Sequence, residues 1–293
     1  MTTDSPRPRS RLLPLAILVT LAVAVPLRAS AKSGEPEQDK PYWRTNIFKR
    51  FAYDQKFLVV DWFPQEVKRP WFTGPLLGAL VLAATSDQGP HEGIDTRSQT
   101  EFMMDRNNSQ ITAAHRLTTL GNAPVIAAAL GITYLSSRHA ENDHLAETAS
   151  LSGEALMDVG LWTIALKTVA ARVRPGPDSH GQFFQYGQPR SGSFPSGHAA
   201  VAFSISTVFA EEYRKEKWVP WVAYGTAGLI GVARVALGQH FPSDVIFGAT
   251  LGHSIGEAVM AQQGLHGGDW YSRMTPYYDA THKSWGLGYR KDW

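Results

Sequence analysis

Three permanent cations, two imidazoles and a carboxylate occur in a short, ordered set of motifs in the second half of this chain. Lys167 precedes Arg174-Pro175, then comes Pro195-Ser196-Gly197-His198, and Arg234, His240 and Asp244 close the series. A phosphate group undergoing displacement calls for this mixture. Cations hold its equatorial oxygens, a nucleophile attacks phosphorus, an acid protonates the leaving group, and a carboxylate orients the nucleophile. Arg174 and Arg234 can grip phosphate oxygens in bidentate fashion, while Lys167 adds a point charge.

The elements that must carry these groups can be read locally. Lys167 and Arg174 are seven residues apart, two helical turns, so both can point to one side near a helix end. Pro175 then breaks the chain. Ser196 stands where an N-cap belongs before Ala199-Ala200-Val201, which makes the backbone N–H groups of Ser196, Gly197 and His198 a natural anion site. Gly197 permits close backbone approach. Ser243 stands as a second N-cap, before Asp244-Val245-Ile246. His240 and Asp244 lie across a Pro-Ser turn, and a carboxylate at that spacing can fix the imidazole tautomer that presents Nε2 to phosphorus.

These motifs resemble those of the type 2 phosphatidic acid phosphatase and vanadium haloperoxidase superfamily, whose pattern is Lys-x6-Arg-Pro, Pro-Ser-Gly-His and Ser-Arg-x5-His-x3-Asp. Here they read KTVAARVRP, PSGH and ARVALGQHFPSD, with Ala233 replacing the usual Ser. The resemblance runs from about Glu154 to about Met260. It implies that His240 attacks phosphorus in line. Lys167, Arg174, Ser196, Gly197 and Arg234 then hold the oxygens, and His198 protonates the leaving alkoxide. Water hydrolyses the resulting phosphohistidine with His198 as base. On this reading no metal or other cofactor is required, because the cations do the work that Mg²⁺ does elsewhere.

The rest of the chain is read from pattern. Arg7, Arg9 and Arg11, an apolar run Leu12 to Leu27, and Ala29-Ser30-Ala31 make residues 1–31 a candidate export signal, the alternative being an uncleaved anchor. Its removal takes away four Arg and one Asp and changes the formal charge from +2 to −1, which gives no reason to expect nucleic acid as a partner. The chain has no Cys, so disulfides, thiolate metal sites and a Cys nucleophile are excluded. Residues 32–70 read as an aromatic-rich amphipathic lead-in, 71–262 as a helical domain and 263–293 as an aromatic-rich tail. The fold expected is all-α, with about six core helices near 75–86, 110–138, 146–172, 197–215, 219–237 and 244–262, and a site built from helix ends and loops.

Two environments fit this pattern. Several helices are apolar around most of their circumference, as in a large core or in lipid, and Trp and Tyr beside basic residues suit a membrane interface. Against this, mean hydropathy is −0.21 and the uncharged stretches are shorter than a comfortable span. The expected reaction is therefore phosphomonoester or pyrophosphate hydrolysis on a lipid at the periplasmic side, in association with the membrane. A soluble periplasmic phosphatase for small monoesters is the alternative. A vanadate-dependent haloperoxidase or a non-catalytic phospholipid binder fits less well. His139, Glu141, Asp143 and His144 read as a solvated connection rather than a metal cluster, and Glu154 and Asp158 as partners for a nearby cation.

Overall fold

The computed structural model describes Arg44 and residues 46–88, 91–104, 107–176, 179, 181–188, 190–263, 274–279 and 284–289. The candidate export signal lies outside these residues. The fold is all-α. It opens with α1 (Ile47–Phe57), which runs through a π-helical turn (Leu58–Trp62) into α2 (Phe63–Glu66). There follow α3 (Pro70–Ala84), α4 (Ile94–Met104), α5 (Asn108–Leu120), α6 (Ala123–His139) and α7 (Asp143–Ala170). The series ends with α8 (Gly197–Glu212), α9 (Trp218–Ala236) and α10 (Pro242–Gln262). A two-residue pairing, β1 (Asp87–Gln88) with β2 (His91–Glu92), joins α3 to α4. Near the carboxyl end, within the aromatic-rich tail, β3 (Met274–Asp279) pairs antiparallel with β4 (Ser284–Tyr289) to form a hairpin.

Helix α8 is the centre of the bundle, with α7, α9 and α10 packed around it. The α8–α10 contact is unusually close, and glycine spacing explains it. A Cβ on Gly248 would lie 2.5 Å from the Ser196 carbonyl oxygen, on Gly252 2.0 Å from that of Ala200, and on Gly256 2.6 Å from that of Ser204. Both helices advance four residues per contact, so they run parallel with backbones touching, as small residues four apart allow. A core of Leu58, Ile126, Leu130, Val159, Val201, Leu251 and Ile255 fills the remaining space.

Several expectations need correction. The stretch 110–138 is two helices bent by 53°, with the break at Gly121-Asn122. A side chain at Gly121 would meet Ile230 and His198, and Pro124 starts the second helix. The third helix stops at Ala171, in a left-handed conformation (φ 39°), before Pro175. Arg174 is therefore not helical; its N–H donates to the Arg190 carbonyl beside a bridge between Val173 and Ser191. Ser243 is not an N-cap, because α10 begins at Pro242 with Phe241 in the capping position.

Helices α1 and α4 lie outside the expected set. The inward face of α1 is charged: buried Arg50 pairs with Glu154 of α7 at 2.9 Å, and buried Asp54 accepts from Gln262 of α10. Gln55 donates to Asp158 at 2.6 Å. Of the aromatics in the lead-in, Phe63 packs edge-on against Trp162 and Trp62 Nε1–H donates to Ser254 at 2.9 Å, whereas Phe48 is exposed.

Candidate active site

Each motif reaches the site by a different route. Lys167 lies one turn before the end of α7, and its Nζ donates to the Gly192 carbonyl at 2.5 Å, tying α7 to the loop that enters α8. The end of Lys167 also lies near Gly197, where an added Cβ would be 3.8 Å from Lys167 Cε. Ser196 caps α8 through its side chain, which accepts from Ala199 N–H at 3.5 Å. Its own N–H donates to the Asp244 carbonyl at 2.9 Å. That bond occupies one of the three backbone donors expected to face an anion. The first-turn N–H groups of Gly197 and His198, which have no partner within the helix, and the Ser196 hydroxyl remain.

His240 and Asp244 flank the start of α10, one turn below the Gly248 contact with Ser196. Parallel packing of α8 on α10 therefore brings the second and third motifs together. His240 is almost wholly buried. Arg174, arriving on the extended segment after α7, donates from Nη1 to the Gln239 carbonyl at 2.9 Å, and the same nitrogen stands 3.5 Å from His240 Nε2. A guanidinium thus stands directly in front of the candidate nucleophilic nitrogen. On the other side of the ring, His240 Nδ1 is 3.5 Å from Asp244 Oδ2, longer than an ordinary hydrogen bond.

Burial and the neighbouring cations disfavour further positive charge on both imidazoles and on Lys167. Burial lowers His198 to about 4, with Arg234, Lys167 and Arg174 adding repulsion. Arg234, near the end of α9, therefore shares the pocket with the other two cations. Burial lowers His240 to about 3 against the pull of Asp244, with Lys167 and Arg174 acting in the same direction as burial. Both imidazoles are neutral at pH 7, as a nitrogen nucleophile requires. Burial and the neighbouring arginines bring Lys167 down to about 8. Asp244 would be raised by burial, but Arg172, His240 and Ser193 outweigh that and hold it ionised.

All eight residues singled out by motif thus meet around one pocket. Sequence reasoning missed the group beneath them. Arg172, fully buried, uses all five of its N–H donors. Nε donates to the Gly181 carbonyl at 3.1 Å. Nη1 donates to Asp244 Oδ1 at 2.6 Å and Ser243 Oγ at 2.7 Å. Nη2 donates to Asp95 Oδ2 at 2.7 Å and Ser86 Oγ at 2.5 Å. Its plane lies against the rings of Phe241 and Phe183. Ser193 Oγ completes the Asp244 environment, donating to Oδ2 at 2.5 Å, and Phe241 N–H donates to the same oxygen at 2.9 Å. The only sequence signal for this group is an extra Arg inside KTVAARVRP.

Among the described residues, no group of three or more His, Asp or Glu side chains is placed to hold a metal ion. In the stretch 139–144, Asp143 pairs with Arg44 at 2.8 Å and Arg138 at 2.9 Å, and His144 pairs with Glu212 at 2.9 Å.

Comparison with known proteins finds similarity over the part of the chain that carries these features. Residues 149–267 match the PAP2 superfamily. The lipid A 1-phosphatase of Porphyromonas gingivalis is 33% identical over 95 residues, which are 32% of this chain and 21% of that protein. The match thus spans about a fifth of that relative's length. Among solved structures, the first transmembrane PAP2 type phosphatidylglycerolphosphate phosphatase from Bacillus subtilis superposes with a TM-score of 0.51 at 23% identity, covering 67% of this chain and 97% of that one. Aquifex aeolicus LpxE gives a TM-score of 0.48 at 24% identity, covering 58% of this chain and 96% of that one. The three motifs and the family match fall on the same residues: over 149–267 this chain is similar to the PAP2 superfamily.

Proposed function

We propose that this protein is a metal-independent phosphatase that hydrolyses a lipid-linked phosphomonoester or pyrophosphate through a phosphohistidine at His240. The observation that carries the reading is the placement of Arg174 Nη1 3.5 Å from His240 Nε2, with Lys167, Arg234 and the start of α8 around the same space. A phosphoryl group drawn in by these cations has its phosphorus in front of Nε2. The Nε2 lone pair forms the P–N bond while the P–O bond to the leaving group breaks. Arg174, Arg234, Lys167 and the first-turn N–H groups of α8 take up charge on the equatorial oxygens. Asp244 stabilises the positive charge that develops on the ring through Nδ1–H.

His198 supplies the proton. Because burial and the neighbouring cations keep it neutral before substrate binds, that proton enters with the substrate, either on a phosphate monoanion or on an imidazole whose pKa the bound dianion has raised. His198 passes it to the departing oxygen. It then takes a proton from the water that attacks phosphorus, and His240 leaves as a neutral imidazole.

The apolar surface favours a lipid. Helix α9 is the one helix among the described residues that is long and apolar enough to cross a membrane alone, with only 33% of its most apolar stretch buried. α5 and α6 reach that length only together, across their bend. Beside the pocket, Phe184 and Tyr186 are exposed on a segment bonded to the end of α7, where Ile164 and Val169 are exposed too. Such a rim suits acyl chains that stay in the bilayer while the headgroup phosphate reaches Lys167. With residues 1–31 read as an export signal, we place the site at the periplasmic headgroup layer. The test is phosphate release by the purified protein from a panel of lipid and short-chain phosphoesters. Preference for lipids supports the reading, and equal or better turnover of small soluble monoesters in an osmotic-shock fraction decides for a soluble phosphatase.

A further inference from the structure

We infer that Asp95, on α4 and outside the family-matched segment, is a positioning residue for the His240–Asp244 pair, acting through Arg172. The inference rests on the reading of His240 as nucleophile.

Charge is the first argument. Asp244 is the group that must offer negative charge to the His240 ring, yet its Oδ1 accepts from Arg172 at 2.6 Å. A carboxylate in a one-to-one buried pair with a guanidinium has little net charge left to offer. Asp95 changes that balance. It holds the other arm of the guanidinium at 2.7 Å, and all three side chains are fully buried. Asp95, Arg172 and Asp244 together carry one net negative charge, and the imidazole of His240 is the titratable group facing it from the α10 start. On the far side of that ring stand Arg174 and Lys167, which oppose a positive His240. The surplus negative charge offsets them at the moment the ring becomes cationic.

Geometry is the second argument. Asp95 Oδ1 accepts from the Ser243 N–H at 3.0 Å, and Oδ2 accepts from Ser243 Oγ at 2.5 Å and Ser86 Oγ at 3.0 Å. Ser243 immediately precedes Asp244 in the first turn of α10, so its two bonds to Asp95 fix the rotation of the turn that aims the Asp244 carboxylate. The neighbouring turn is held from the same helix, since a side chain at Gly238 would meet Met103 Sδ at 2.8 Å. α4 thus clamps the segment 238–243 that carries His240. A carboxylate that only anchored a loop would need no arginine shared with Asp244.

The test uses the full chain with Asp95→Asn, which keeps the shape and removes the charge. We expect kcat to fall about 10–100-fold with KM within about 3-fold of wild type, since the phosphate-holding cations are untouched. In an Asp244→Asn background the same change should alter kcat by less than about 3-fold, because its route to His240 is already cut. Wild-type kcat in Asp95→Asn, or an equal loss in both backgrounds, overturns the inference. If Asp95→Asn does not fold, Asp95→Glu carries the same cycle: it keeps the charge but displaces the carboxylate, and a loss that vanishes with Asp244→Asn is again expected. Turnover by wild type and its loss in His240→Ala are measured alongside. A wild type that releases no phosphate from any phosphoester overturns both this inference and the proposed function, whereas an active wild type with an unaffected Asp95→Asn overturns only the positioning role.

Discussion

Replacing Gly252 by Ala tests whether backbone contact between α8 and α10 holds the site together. The added Cβ would lie 2.0 Å from the Ala200 oxygen, 2.8 Å from its carbonyl carbon and 2.9 Å from its Cα. None of these atoms is the end of a flexible side chain, so relief requires the helices to part by about 1.4 Å to reach ordinary contact. Overpacking of this kind costs about 1–3 kcal/mol, or roughly 2–12 °C in Tm for a chain of this size. Ser196 and Gly248 lie one turn away, so the 2.9 Å bond from Ser196 N–H to the Asp244 carbonyl stretches as well. A displacement of about 1 Å between the His198 and His240 sides of the pocket costs about 100-fold in rate. The assay is thermal unfolding and phosphate release on the same sample, with Gly225→Ala as control. Gly225 has nothing within 4 Å of its Cβ position, so Ala there should be neutral or stabilise by about 0.4–1 kcal/mol. Gly252→Ala with wild-type Tm and wild-type kcat would refute the reasoning.

Further outcomes follow from the site and the buried charges. His198→Ala should be severely impaired on an alkyl phosphate and much less so on a nitrophenyl phosphate, whose leaving group needs no proton; equal impairment would reassign His198 to binding or dephosphorylation. EDTA should leave turnover unchanged and orthovanadate should inhibit it by mimicking the five-coordinate state, whereas activity lost to EDTA and restored by Mg²⁺ or Zn²⁺ would contradict the mechanism. Burial and the neighbouring Asp54 raise Asp158 to about 8, so the fold holds a proton that the unfolded chain has lost. Its stabilising contribution is complete below the ordinary carboxylate range and fades as pH rises through about 8. Asp158→Asn should therefore flatten the loss of Tm between about pH 5 and pH 8, and an unchanged slope there would exclude Asp158 as its source.

What the sequence reveals and what it hides have physical causes. The helices at 197–215, 219–237 and 244–262 are legible because apolar runs mark all three and Ser196 caps the first, and they appear within a few residues of those limits. α1 is not, because its inward face carries Arg50 and Asp54, so hydrophobic periodicity points away from the core. α4 is similar, with Asp95 and Gln99 buried. The eight motif residues are legible because each motif has fixed internal spacing. Arg172 and Asp95 are not, because their roles arise from contacts 72 and 77 residues apart in the chain. The spacing of Gly248, Gly252 and Gly256 is a usable sign of close helix packing that motif reading passes over.

The most direct test of the central claim is to trap the phosphoryl group on the enzyme. Rapid quench of the purified protein during turnover of a phosphorus-labelled lipid phosphate should give a protein-bound label that is stable in base and labile in acid. Peptide mapping should place it on His240, and His240→Ala should abolish both the label and turnover, to below about a hundredth of the wild-type rate. Label on another residue, or phosphate release by His240→Ala above that level, would contradict the account.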